Sequence, residues 1–218
     1  KRQSVMMGAV PVFAAGTSSD ADAVYKEETV YVNADATGTS DEVTVSNWLK
    51  NSGSVSGSLT DASTLKDIKN VKGDETFKES GDTLTWNTDG EDIYYQGTTD
   101  QDLPVSVKLT YYLDGKEIKP ADLKGKSGHL KIQVDYTNKE KKTVSVDGKQ
   151  EEVYTPFVMM TGMILPNETF SNVTIDNGKV ISDGSKNIVV GFGMPGMKES
   201  LNLDESKTED LTIPESLC

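Results

Sequence analysis

Residues 103–138, LPVSVKLTYYLDGKEIKPADLKGKSGHLKIQVDYTN, decide the fold class. Val105, Val107, Leu109 and Tyr111 share one parity, with Ser106, Lys108 and Thr110 between them. After Asp114-Gly115 and a short PADL segment, Leu130, Ile132, Val134 and Tyr136 alternate with Lys131, Gln133 and Asp135. A period of two is the mark of strands with one buried face and one wet face. Burying eight such side chains contributes on the order of 12–24 kcal/mol gross, an upper bound because unfolded chains already hide part of that area. The pattern predicts two antiparallel strands at the heart of a β-sandwich.

Outward from this stretch the same grammar repeats. ETVYVNA and DEVTVSNWL flank the turn-forming ATGTS and read as a β-hairpin whose Trp48 and Leu49 enter a small core. Short strands are expected at Phe77 to Glu79, Leu84 to Trp86 and Ile93 to Tyr95, followed by a linker from Gly97 to Gln101. The DASTLKDIKN segment fits either a short capped helix or an irregular strand. Asp147-Gly148 predicts an inserted hairpin, and Asn177-Gly178 a type I′ turn between Val173 to Ile175 and Val180-Ile181. FVMMTGMIL, closed at both ends by proline, reads as a strand covered on both faces.

Composition agrees. Apolar residues make up 35%, and 35 acidic against 22 basic residues leave a net charge of −13. Such a surface repels phosphate backbones and anionic headgroups, so nucleic acid is not an expected partner. Cys218 is the lone cysteine and His129 the lone histidine, which leaves no disulfide and no Cys/His zinc cluster.

At the N-terminus, Lys1-Arg2 precede the apolar run Val5 to Ala15, about the length of a signal-peptide core and too short to span a bilayer. Small residues at Val12 and Ala14 place a cleavage site after Ala14; the competing reading is a buried N-terminal strand. The organisation expected is thus a signal remnant at 1–14, a leader at 15–27, a β-rich unit at 28–100, an immunoglobulin-like antiparallel β-sandwich at 101–203, and a featureless linker at 204–218.

Chemistry-bearing motifs are weak. Gly125-Lys126-Ser127 imitates the end of a phosphate-binding loop, but it precedes a strand and has Pro120 where a glycine is required. Asn87-Thr88-Asp89-Gly90 resembles half a calcium loop with wrong residues at its first and last ligand positions, which leaves only weak Ca²⁺ binding by the acidic loops and no cofactor. There is no G-x-S-x-G. Lys108 and Asn138 sit on strands suited to an isopeptide cross-link, but Lys108 is on the wet face. The aromatic residues Trp48, Trp86, Tyr94, Tyr95, Tyr111 and Tyr112 offer a possible sugar-stacking surface. Tyr112, Trp86 and Tyr95 are its expected ligand contacts, and no catalytic or metal-binding residue is expected.

The runs ETVYVNADATG, DTLTW, DIYYQGTT, LPVSVKLTYYLDGKEI, LKGKSGHLKIQVDYTN, TPFVMMTGMIL and FSNVTIDNGKVISDGSKNIVVGFGMPG resemble cell-envelope proteins of Gram-positive, clostridia-like bacteria. The resemblance covers residues 27–214 and carries no catalytic motif. It implies a β-rich ectodomain followed by a helical stalk and a membrane anchor, loosely like phage-infection-protein-like membrane proteins. Its implied setting is the cell surface, attached to the membrane only through a part outside this chain. The expected function is a non-enzymatic structural or binding module for an envelope protein or glycan. The alternatives are a dedicated glycan-binding module and, behind it, a carboxylate-based glycosidase.

Overall fold

In the computed structural model the described residues are 5–10, 25–51, 56–146, 148–201 and 213–218. The leader and most of the expected signal remnant lie outside them, as does most of the 204–218 segment. The chain is all-β, its strands gathered into antiparallel sheets. It divides into two compact units, one of residues 10–32 and 42–101, the other of 1–9, 33–41 and 102–218.

In the smaller unit, β2 (Tyr25–Ala34), β3 (Ser40–Lys50), β8 (Ile93–Thr99) and β5 (Lys66–Lys72) form one sheet in that order. A second sheet has β7 (Thr83–Asp89) between β4 (Ser56–Ala62) and β6 (Phe77–Ser80). The core is Leu49, Leu59, Leu84, Trp86, Ile93 and Tyr95, with Leu65, Ile68 and Phe77 packed against it. Parity explains the choice. Leu84 and Trp86 share one face of β7, and Ile93 and Tyr95 share one face of β8. The Trp86 ring lies 4.6 Å from Phe77 and 5.3 Å from Tyr95, centroid to centroid. Tyr95 reaches the core's margin, where its hydroxyl donates to Asp61 at 2.5 Å. Lys26 closes the group, 2.9 Å from the same carboxylate oxygen. Burial first, and then the Asp61 carboxylate, push the Tyr95 hydroxyl well above the ordinary tyrosine range.

Of the two readings of DASTLKDIKN the irregular strand holds for most of it: Asp61 and Ala62 end β4, and residues 66–70 open β5, whose register shifts twice. Gly97 to Thr99 belong to β8, not to a linker, because their side pairs with Val43 to Val45 of β3. Trp48 turns away from the core that Leu49 enters.

The larger unit is built on the 103–138 stretch. β9 (Val105–Leu113) pairs along its whole length with β11 (Leu130–Asn138), from Val105↔Asn138 to Leu113↔Leu130. The turn between them is trimmed by β10 (Lys116–Ile118) and by a 3₁₀ turn over Pro120–Leu123. Val105, Tyr111, Val134 and Tyr136 of the predicted inward faces are buried and Val107, Leu109, Leu130 and Ile132 half-buried, while Thr110, expected on the wet face, is buried as well. β15 (Gly178–Ser182), β16 (Lys186–Gly193) and β14 (Val158–Pro166) lie side by side in that order, with β1 (Val5–Val10) beside β14. Tyr136 and Thr161 hydrogen-bond through their hydroxyls at 2.5 Å in the interior. Burial raises the Tyr136 pKa to about 12. Gly193 is needed there: a Cβ would lie 2.8 Å from the Tyr136 ring. β12 (Lys141–Val146) and β13 (Lys149–Tyr154) form the expected inserted hairpin.

Three expectations are corrected in this unit. Val173 to Ile175 form no strand; β15 begins at Gly178 and turns into β16 through Asp183-Gly184. The C-terminal segment is not featureless throughout: β17 (Ser216–Leu217) pairs with β11, and Ile213 and Leu217 are buried. Finally, FVMMTGMIL is covered on one face only. Met159 and Thr161 point inward, whereas Met160 and Ile164 are 43% and 53% exposed, beside Phe192 and Ile188 of β16.

Candidate functional site

Outward-facing side chains of the β3–β8–β5 sheet make the most chemically distinctive surface of the smaller unit. Because Val45, Asn47 and Leu49 face inward, Thr44, Ser46 and Trp48 face out. The pairs Thr44↔Thr98, Ser46↔Gln96 and Trp48↔Tyr94 carry the same parity across to β8. Trp48 and Tyr94 thus become cross-strand neighbours. Their rings are nearly parallel, 9° apart, with centroids 5.7 Å from one another. Cross-strand aromatic pairs of this kind contribute about 0.5–1.5 kcal/mol beyond area burial.

The pair is held by one carboxylate. Trp48 Nε1 donates to Asp92 Oδ2 at 2.8 Å, and the Tyr94 hydroxyl lies 3.4 Å from the same oxygen. The other oxygen, Asp92 Oδ1, accepts from the Asn51 backbone N–H at 2.8 Å. Asn51 is itself buried, its amide donating to the Glu91 carbonyl at 3.3 Å. Cations close the periphery: Lys50 Nζ lies 5.7 Å from the Trp48 ring centroid and Lys72 Nζ 4.4 Å from that of Tyr94. Rigid rings, a fixed carboxylate and two ammonium groups are the elements of a polar-rimmed stacking surface.

None of the three aromatic residues expected at a ligand lies on this face. Trp86 and Tyr95 are both 0% exposed and pack against each other in the core with their rings tilted by 31°, so burial leaves them no ring face to offer. Tyr112 is partly exposed on the outer face of the larger unit, between its strand partners Lys131 and Glu117, with Lys131 Nζ 5.7 Å from its ring. Trp48 and Tyr94, absent from the expected contacts, are the outward pair. The signal was available: each has the parity opposite to its aliphatic neighbour, Leu49 or Ile93.

Asp92, within the acidic loop considered for Ca²⁺, spends both oxygens on Trp48, Tyr94 and Asn51. Among the described residues no group of three His, Cys, Asp or Glu side chains is placed to hold a metal ion. No described helix is long and apolar enough to cross a membrane. Lys108, considered for a cross-link, faces outward opposite Asp135, while Asn138 is buried and donates to the carbonyls of Thr155 and Pro195 at 2.8 and 3.1 Å. No protein-family model, no curated protein and no solved structure matches the chain.

Proposed function

We propose that this chain is a non-enzymatic extracellular module of a cell envelope, and that it binds glycan through the Trp48–Tyr94 face. The acidic, turn-rich β composition supports the setting, whereas Val5–Val10, the core of the expected signal segment, form strand β1 beside β14 as the competing reading has it. One observation carries the ligand: two nearly parallel, outward-facing aromatic rings fixed by a shared carboxylate. Sugar rings present C–H faces that pack on aromatic faces, and hydroxyls that bond to a fixed carboxylate at the rim. Preorganisation matters because a ring already immobilised has less rotamer entropy to lose on binding.

A glycosidase would need two carboxylates facing each other across about 5–10 Å of open cleft. At the ring pair the carboxylate is that of Asp92, and it is engaged as an acceptor by both ring systems. The experiment is a glycan array followed by calorimetry on the best ligand with the wild type, Trp48→Ala and Tyr94→Ala. Saturable binding lost in both variants is expected. Binding unchanged in both would refute the stacking face. Turnover of any glycan would overturn the non-enzymatic reading.

A further inference from the structure

Strand β5 is irregular in a way that has a chemical result. Its sequence, KDIKNVK, places lysines at 66, 69 and 72. In a regular strand, residues three apart point to opposite faces, so Lys69 would oppose Lys66 and Lys72. Here Lys66 pairs with Thr98, Lys69 with Gln96 and Lys72 with Tyr94. Three residues of β5 are matched to two of β8, twice in succession, through register shifts between Lys66 and Lys69 and between Asn70 and Lys72. The first shift contains Asp67, a non-glycine residue at φ 50°. That conformation is uncommon outside glycine and is tolerated best by Asn and Asp. Each bulge inserts one residue and re-aims the next side chain. Together they bring all three lysines to the parity of Tyr94, Gln96 and Thr98, on the face that also bears Trp48.

We propose that this row is the charge-reading half of the glycan face, and that the ligand is a linear anionic glycan with carboxylate or sulfate groups along its length. The proposal rests on the glycan reading given above. The row advances two β8 residues per lysine, or about 7 Å per step at roughly 3.4 Å per residue. Three cations, two such steps from end to end, therefore match a chain carrying one anion about every 7 Å. All three lysines are exposed, on a chain whose net charge is −13. Lys66 is 2.6 Å from the exposed carboxylate of Asp100, an ion pair in water that an anionic ligand can replace at small cost. Lys72 lies over the Tyr94 ring, so an anion bound to it would sit beside the stacking surface. Thr98, Gln96, Ser46 and Thr44 supply neutral hydrogen-bonding groups between the charges.

The test uses the full chain with four probes: polygalacturonate, dextran sulfate, neutral dextran and an oligothymidylate. The proteins are the wild type, Lys66→Gln/Lys69→Gln/Lys72→Gln, Trp48→Ala, and a charge-matched control, Lys116→Gln/Lys124→Gln/Lys126→Gln. The expected result is binding to one or both anionic glycans and weaker binding to dextran and to the oligonucleotide. The triple variant on β5 should lose at least about tenfold, and the control should lose nothing. Affinity should also fall about tenfold to twentyfold between 50 and 200 mM salt, as for roughly three charge contacts. Polygalacturonate and dextran sulfate separate the carboxylate source from the sulfate source. No binding to either anionic glycan, equal loss in the control, or oligonucleotide binding as tight as glycan binding would overturn the proposal. Lysine-independent binding that is lost in Trp48→Ala would overturn the charge row and leave the stacking face standing. The reverse pattern would remove the stacking face alone. Because all six lysines are exposed, matched unfolding midpoints show that the variants are folded.

Discussion

Gly97→Ala is the substitution that probes how the lysine row is held. Gly97 lies on β8 opposite Val45, and β5 crosses it closely. A Cβ there would stand 2.8 Å from Leu65 Cβ, 2.8 Å from the Lys66 carbonyl oxygen and 3.3 Å from Ile68 Cγ1. The nearest obstacles are backbone and Cβ atoms, so no side-chain rotation relieves them and β5 must move. Overpacking of this kind costs about 1–3 kcal/mol. Losing a glycine from the unfolded chain returns about 0.4–1 kcal/mol, since the backbone at Gly97 has no positive φ. The expected net loss is about 0.5–2 kcal/mol, measured by urea unfolding with the slope unchanged. Hydrogen exchange should accelerate at β5 amides before those of β3. Gly97→Ala that is neutral or stabilising, with β5 protected as in the wild type, would refute the close crossing and with it the register of the bulged strand.

The two tryptophans should behave oppositely. Trp86→Ala removes a ring 0% exposed and should cost about 3–5 kcal/mol in chemical denaturation, offset slightly because its indole N–H has no partner among the described residues. Trp48→Ala, on the partly exposed face, should cost less than half of that while abolishing glycan binding. Leu217→Ala, at 2% exposure, should cost about 2–4 kcal/mol by the same assay; a neutral result would remove β17 from the core. In base, Tyr95, Tyr111 and Tyr136 all have pKa values raised above 10.0, chiefly by burial. A raised folded value means the unfolded chain releases protons first, so stability is intact below pH 10 and falls as pH rises toward about 12. Tyrosinate absorbance should then appear together with loss of the β-type circular-dichroism signal; a tyrosinate signal complete before unfolding begins would contradict the burial of these rings. In acid, Asp183 is held at about 2 by hydrogen bonds from Ser185, with the Lys186 N–H adding to them. Its folded pKa is depressed, so its contribution is present above 3.8 and is lost as pH falls toward 2. Asp183→Asn should raise the pH of acid unfolding.

Where alternation was regular, side-chain position was legible. β9 and β11 bury or half-bury the residues their parity marks, with Thr110 of the other parity buried beside them, and the Trp86 and Tyr95 positions follow from Leu84 and Ile93 once parity is applied to each ring. What misled was irregularity. In β5 the bulges impose a spacing of three on Leu65 and Ile68 and on the lysines, which imitates the period of a helix. A bulge is stabilised by the partner strand, here by the close passage over Gly97, and the local pattern holds no trace of that partner. The C-terminal β17 was hidden for a similar reason. Two residues beside Pro214 carry too little pattern to announce a strand, and only the open edge of β11 gives them one. FVMMTGMIL shows the converse: uniform hydrophobicity records how apolar a strand is without saying which face is covered.

The bulges of β5 have one more consequence, for solubility. β5 ends its sheet, and an outermost strand with a straight backbone is a template for joining another chain edge to edge. Two successive irregularities break the regular ladder of donors and acceptors such a neighbour would need, and three ammonium groups make its approach unfavourable. A variant straightened by deleting Asp67 and Val71 should therefore form fibrils or oligomers under conditions where the natural strand stays dispersed, with thioflavin fluorescence as the readout.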